Sequence, residues 1–149
     1  MNARLRWWGQ PGDRSISWLI WCALAITSSG CTSTSTSPSV DLTGAWGGDH
    51  IAMTVTDSAT HVEFDCAHGD IAGRVLVDAR NQLSVAGVFI REHGGPIRVG
   101  ELPDSHPARY AGSVLGNSMT LTVELTDGNE TIGPFTLTRG GPARVFKCL

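Results

Sequence analysis

The chain has 149 residues, of which 11 are basic and 14 acidic, for a formal charge of −3, and 41% are hydrophobic. Its basic residues are scattered singly, with no stripe interleaved with aromatics, which argues against nucleic acid as a partner. The length suits one sizeable core.

The N-terminus carries Arg4, Arg6 and Arg14, followed by a 12-residue apolar stretch from Ile16 to Thr27. That stretch is too short for the roughly 20 apolar residues of a spanning helix, and it predicts an export signal over 1–30. Ser28, Ser29 and Gly30 then place small residues immediately before Cys31. The pattern resembles the lipobox of bacterial lipoproteins, whose cysteine is diacylated on sulfur and becomes the new N-terminus. The resemblance implies lipidation at Cys31 and attachment to the membrane of the cell envelope. Thr32 after the cysteine, rather than Asp, resembles cargo sent on to the outer membrane. A plain secretory signal cleaved nearby, giving a secreted or periplasmic protein, is the alternative. Two or more acyl chains anchor stably where one is marginal.

Removing residues 1–30 takes away three arginines and Asp13, so the mature chain has 8 basic and 13 acidic side chains and a formal charge of −5. Residues 32–39 are Ser, Thr and one Pro without an apolar side chain, so 31–39 reads as the anchor and a solvated tether. Of the four cysteines, Cys22 lies in the signal and Cys31 at the anchor, leaving Cys66 and Cys148. Two cysteines in an exported domain predict a disulfide. A zinc site using both thiolates is the alternative.

From Val40 onward the dominant pattern has period two. Met119, Leu121, Val123 and Leu125 alternate with polar residues, which predicts a strand with one wet face. The same alternation runs through Ile51, Met53 and Val55, through Val62, Phe64 and Cys66, and through Phe135 and Leu137. Further strands are expected near 73–78, 83–91, 109–115 and 143–148. Turn chemistry falls at His68, Gly69 and Asp70, at Gly94 to Pro96, at Gly116 and Asn117, at Asp127 and Gly128, and at Gly140 to Pro142. Residues 92–108 read as the one long loop. The fold class is therefore all-β: an antiparallel up-and-down meander of about eight strands over 40–149, closing into a small barrel, with a β-sandwich as the alternative. By parity, the thiols of Cys66 and Cys148 point where Val62, Phe64 and Phe146 point, toward the interior or its mouth.

Gly44-x-Trp46 at the start of the first strand, with this strand pattern, resembles the calycin barrels of avidins and lipocalins. That resemblance implies a Trp closing one barrel end beneath a basic residue of the last strand, and Arg144 is the matching candidate. Trp46 then either plugs the barrel or floors a pocket for a small apolar ligand. The segments 46–50, 63–69 and 92–96 resemble parts of an uncharacterised bacterial lipoprotein family.

All five histidines lie between 50 and 106, several beside acids. Asp49, His50, Asp65, His68, Glu92 and His93 are the candidates for a metal site or an acid/base pair, because imidazole and carboxylate together supply ligands and proton carriers. Solvated turn residues are the plainer reading of the same side chains. No nucleophile elbow or phosphate loop is present. The sequence therefore predicts an anchored envelope module that binds a small ligand or a partner, with no cofactor. The alternative is an enzyme using the His and acid groups, with a divalent transition metal.

Overall fold

The computed structural model describes residues 40–148. The predicted signal, Cys31 and the tether 32–39 lie outside the described residues.

Eight strands follow in chain order: β1 Gly44–Gly48, β2 Ile51–Val55, β3 Ala59–Phe64, β4 Ala67–Ala72, β5 Gln82–Arg91, β6 Asp104–Leu115, β7 Ser118–Leu125 and β8 Glu130–Arg139. Each pairs antiparallel with the next, and β1 pairs with β8 through Trp46↔Arg139, Gly47↔Thr138 and Gly48↔Leu137, which closes the barrel. The sandwich alternative is thereby set aside. Three two-residue turns, at 49–50, 65–66 and 116–117, each contain one residue at positive φ: His50, Cys66 and Gly116. That backbone twist matches the twist of the strands they join.

The register sorts the connections into two ends. The near end holds the chain entry at Val40, the turns after β2 and β6, and the segment 73–81. The far end holds the turns after β1, β3 and β7 and the long β5–β6 loop. Alternate residues fill the interior between them, among them Ile51, Met53, Val62, Phe64, Tyr110, Met119, Leu121 and Leu137. Eight strands enclose a space just wide enough for side chains to fill, and here aromatics and methionines fill it.

Tyr110 shows how closely. Its ring lies across β5 and β4 where Gly69 and Gly87 leave room, and its hydroxyl donates to the carbonyl of Val88 at 2.8 Å. A Cβ at Gly69 would collide with that hydroxyl, so Gly69 stands inside β4. The turn expected at 68–70 is corrected for that reason.

Four further boundaries differ from expectation. No ladder forms at 73–78: Gly73, at φ 81°, donates to Ser58 O and bends the chain out of β4. The alternation there still buries Val75 and Val77, and a short turn closed by Asp78 N donating to Gln82 O leads into β5. β6 begins at Asp104, so the long loop covers 92–103. Pro107 is tolerated inside β6 because its missing N–H falls beyond Ala108↔Leu125, the last rung to β7. β8 extends back to Glu130, its register shifting opposite Leu121 and Val123.

The expected strand at 143–148 is replaced by a strap. Gly140, at φ 65°, turns the chain out of β8, and Gly141 and Pro142 pass over Gly47, whose missing Cβ leaves room for them. β1 already has β2 and β8 as neighbours, so the strap finds only a single bridge, Asp49↔Arg144.

Candidate functional site

Trp46 is 1% exposed, and its indole N–H donates to Leu42 O at 2.9 Å. It plugs the near end. The basic residue over it is Arg139, not Arg144: the Arg139 guanidinium lies 4.6 Å from the ring centroid and donates to the carbonyls of Thr43 and Asp41. Register explains the correction. Arg139 stands directly opposite Trp46 on β8, whereas the strap carries Arg144 to the far end, where it meets Asp49 at 3.1 Å.

Cys66 and Cys148 are joined as expected. Their link does not sit in the interior. Cys66 occupies the β3–β4 turn at φ 51°, where strand parity no longer applies, and Cys148 is exposed; Phe146, expected in register with the core, is 66% exposed. The strap is held beside the link by Phe146 N donating to Asp65 and by Lys147, which contacts Glu63 and reaches Glu92 at 3.0 Å.

All six candidate residues are on or beside the far rim, and they resolve into separate couples. His50 meets Asp65 at 2.5 Å, His68 meets Glu92 at 2.6 Å, and His93 meets Glu101 at 2.6 Å, while Asp49 is taken by Arg144. Among the described residues no three His, Cys, Asp or Glu side chains gather in a way that would hold a metal ion. Each carboxylate instead holds a neighbouring strand or turn.

The sequence reading passed over two further groups. On the outer face of β3 and β4, His61 lies 2.7 Å from both Asp70 and Glu63. At the far mouth, His106 lies 2.9 Å from Asp127 and 3.0 Å from Asp104, and Arg91 reaches across to Glu130 at 2.5 Å. The spacing of His61 and Glu63, two apart on one strand face, was the available signal for the first group. Asp104 and His106 carry the same two-apart signal on β6, but Arg91, Asp127 and Glu130 join them from β5, a turn and β8, which no local pattern links.

Three imidazoles share one property: both ring nitrogens face acceptors. His61 stands between two carboxylates, His106 between two more, and His93 between Glu101 and, at 3.0 Å, the carbonyl of Gly94. Only the doubly protonated ring satisfies both sides. Accordingly, hydrogen bonds to Asp70 and Glu63 raise the pKa of His61, those to Gly94 and Glu101 raise that of His93, and that to Asp127 raises that of His106. Burial works against ionisation of Glu63 and Glu92, but bonds from Lys147 and the adjacent histidines outweigh it and hold both below the usual carboxylate value. These histidines stabilise the fold below their ordinary value of about 6.5 and lose that contribution as pH rises through their raised values. The carboxylates stabilise it above about 4.5 and lose theirs on acidification.

Beside the mouth, an open cleft of about 450 Å³ lies under the β5–β6 loop. Ile90, Ile97, Leu102 and Pro103 give it an apolar side, and His68, Glu92, His93 and Glu101 a polar one, with Cys148 at its edge. The loop itself holds Ile97, Val99 and Leu102 out to solvent at 82%, 108% and 86% exposure. Three large apolar side chains on one exposed loop form the kind of patch that marks a contact surface.

The site thus belongs to a closed, filled eight-stranded barrel with an amphipathic cleft outside one rim. Compared with protein-family models, curated proteins and solved structures, the chain matches none.

Proposed function

We propose that this protein is a lipid-anchored module of the bacterial cell envelope, fixed through Cys31 and binding a small amphipathic ligand at the far-rim cleft. One observation carries the reading: the chain enters the barrel at the near end, and the cleft and its apolar loop lie at the other. A tether of 8 residues reaches at most roughly 27 Å when extended. A barrel held by its near end therefore presents the cleft away from the membrane. The cleft volume falls within the range of about 300 to 1,000 Å³ of small-ligand sites, and its divided lining suits a ligand with one apolar and one polar part.

The disulfide supports export, since such links persist in oxidising compartments. Trp46 acts as a plug in this reading, and the ligand is met outside the barrel. The test is mass spectrometry of the mature N-terminus from envelope fractions. A diacylated Cys31, with release into the soluble fraction on Cys31→Ser, is the expected result. An unmodified terminus at another residue would remove the anchor from the proposal.

A further inference from the structure

We propose that the far-rim cleft selects ligands whose polar end is a neutral hydroxyl, which donates a hydrogen bond to Nε2 of His68; this rests on the cleft being the binding site. Four polar side chains form one side of the cleft, and in three of them every nitrogen and oxygen already has a partner. Both oxygens of Glu92 lie within 3.2 Å of Lys147 Nζ, and Oε1 also accepts from His68 Nδ1 at 2.6 Å. Glu101 accepts from His93 Nε2 at 2.6 Å and from Arg98 N at 2.9 Å, while His93 Nδ1 faces Gly94 O. His68 is the exception. Its Nδ1 is taken by Glu92, but its Nε2 meets no partner among the described residues and stays accessible on a side chain that is 28% exposed.

The carboxylate behind the ring fixes what that nitrogen offers. Burial opposes ionisation of Glu92, but Lys147 and His68 outweigh it and hold the carboxyl below its usual value, so it is ionised and can only accept. The ring nitrogen facing it must therefore carry the proton, and in a neutral imidazole this leaves Nε2 as a lone pair. Glu92 is thus a positioning residue, itself pinned by Lys147, which also contacts Glu63 and donates to Ala67 O at 3.0 Å. Register sets the lone pair beside an apolar surface. His68 stands directly opposite Ile90 across β4 and β5, and Ile97, Leu102 and Pro103 continue that side of the cleft. A hydroxyl donating to Nε2 can lay its hydrocarbon along them. Charged heads fit worse. A carboxylate has no proton to donate and would face Glu92 and Glu101. An ammonium could donate, but each carboxylate of the lining already has an N–H partner: Lys147 on Glu92, His93 on Glu101 and His106 on Asp104. The charge of an ammonium therefore adds little to what a hydroxyl gains.

Nuclear magnetic resonance of the full chain, disulfide intact, at about pH 8, where imidazole is ordinarily neutral, tests this with n-octanol and its isomer heptyl methyl ether. The two probes contain the same atoms, and only the alcohol can donate. Octanol should bind about three- to tenfold more tightly, as one net hydrogen bond provides. The Nε2 resonance of His68 should move with octanol as the amide signals of Ile90 and Leu102 saturate. His68→Phe should keep an apolar wall and abolish the preference, while His50→Gln, outside the cleft, should preserve it. Glu92→Gln, whose amide can donate as well as accept, should let the ring populate both tautomers, visible in its nitrogen shifts, and shrink the preference. Octylammonium should bind no more tightly than octanol. Equal binding of octanol and the ether, a proton resident on Nε2 in the free protein, tighter binding of octylammonium, or a preference that survives His68→Phe overturns the hydroxyl reading and leaves the cleft as a binding site. Absence of any saturable shift at the cleft with every probe removes the binding site and this inference with it. Should His68→Phe fail to fold, the Nε2 resonance of the unaltered protein decides alone: movement with octanol and not with the ether supports the proposal, and any other result overturns it.

Discussion

Replacing Cys66 and Cys148 together by serine is expected to lower stability by about 4 to 5 kcal/mol. The link joins residues 82 apart, and closing a loop of that length removes roughly this much chain entropy from the unfolded state. The loss is comparable to the whole stability of many small domains, so the variant should sit near its folding threshold. Guanidinium denaturation of the oxidised protein and the double-serine variant measures it. Local effects should be confined to the strap. Arg144, Phe146 and Lys147 keep their contacts with Asp49, Asp65, Glu63 and Glu92, but these are exposed or half-buried and hold the strap weakly once the covalent tie is gone. Interior signals from Tyr110 and Met119 should persist at low denaturant. A loss under about 1 kcal/mol would show that the strap constrains the unfolded chain far less than its loop length implies.

Trp46→Ala is expected to cost about 3 to 5 kcal/mol, because it removes the largest side chain of the core and opens a cavity beneath Arg139 that rigid strands cannot collapse to fill. Trp46→Phe should cost less, keeping most of the packing while leaving Leu42 O without its indole donor. The two arginines separate cleanly in the same assay. Arg139→Ala removes the stacked guanidinium and its two carbonyl contacts across the chain entry, and so should destabilise measurably. Arg144→Ala breaks an exposed ion pair with Asp49 and should change stability by well under about 1 kcal/mol. Equal effects from the two would contradict the placement of Arg139 over the plug.

The sequence made the barrel legible because period-two alternation and turn residues are local. Ile51 to Val55 and Met119 to Leu125 announce strands within five to seven residues of chain, and Gly116 with Asn117 announces a turn. What misled was information held elsewhere in the fold. Gly69 reads as a turn until Tyr110, 41 positions on, is seen lying across it. Residues 73–78 alternate like a strand, yet Gly73 bends them away from β5, and burial of Val75 and Val77 survives without the ladder. Pro107 hid the start of β6, since only the shortness of β7 at that rung makes a missing donor harmless. Parity through Cys66 failed because a turn residue at positive φ does not continue the alternation of the strand before it.

The candidate site was legible in position and not in partnership. The sequence clusters histidines and acids at the ends of β1, β3 and β5, and closure of the barrel puts those ends on one rim. Whether they converge on one point or pair with strand neighbours depends on register at the scale of a single residue, as His50 choosing Asp65 and His68 choosing Glu92 show. Asp65 and His68 stand only three apart in sequence, yet they do not pair with each other. The turn at 65–66 sends them to different neighbours. Asp104 and His106 stand two apart on β6, but Arg91, Asp127 and Glu130 join them from three other segments that meet only when the barrel closes.

The filled barrel with recognition outside its far rim is tested most directly by amide chemical-shift mapping with octyl glucoside, a neutral amphipathic probe, below its micellar concentration. Saturable shifts at His68, Ile90, Glu92 and Leu102, with Tyr110, Met119 and Val123 unmoved, are the expected result. Shifts concentrated on those interior residues, with the rim silent, would contradict it.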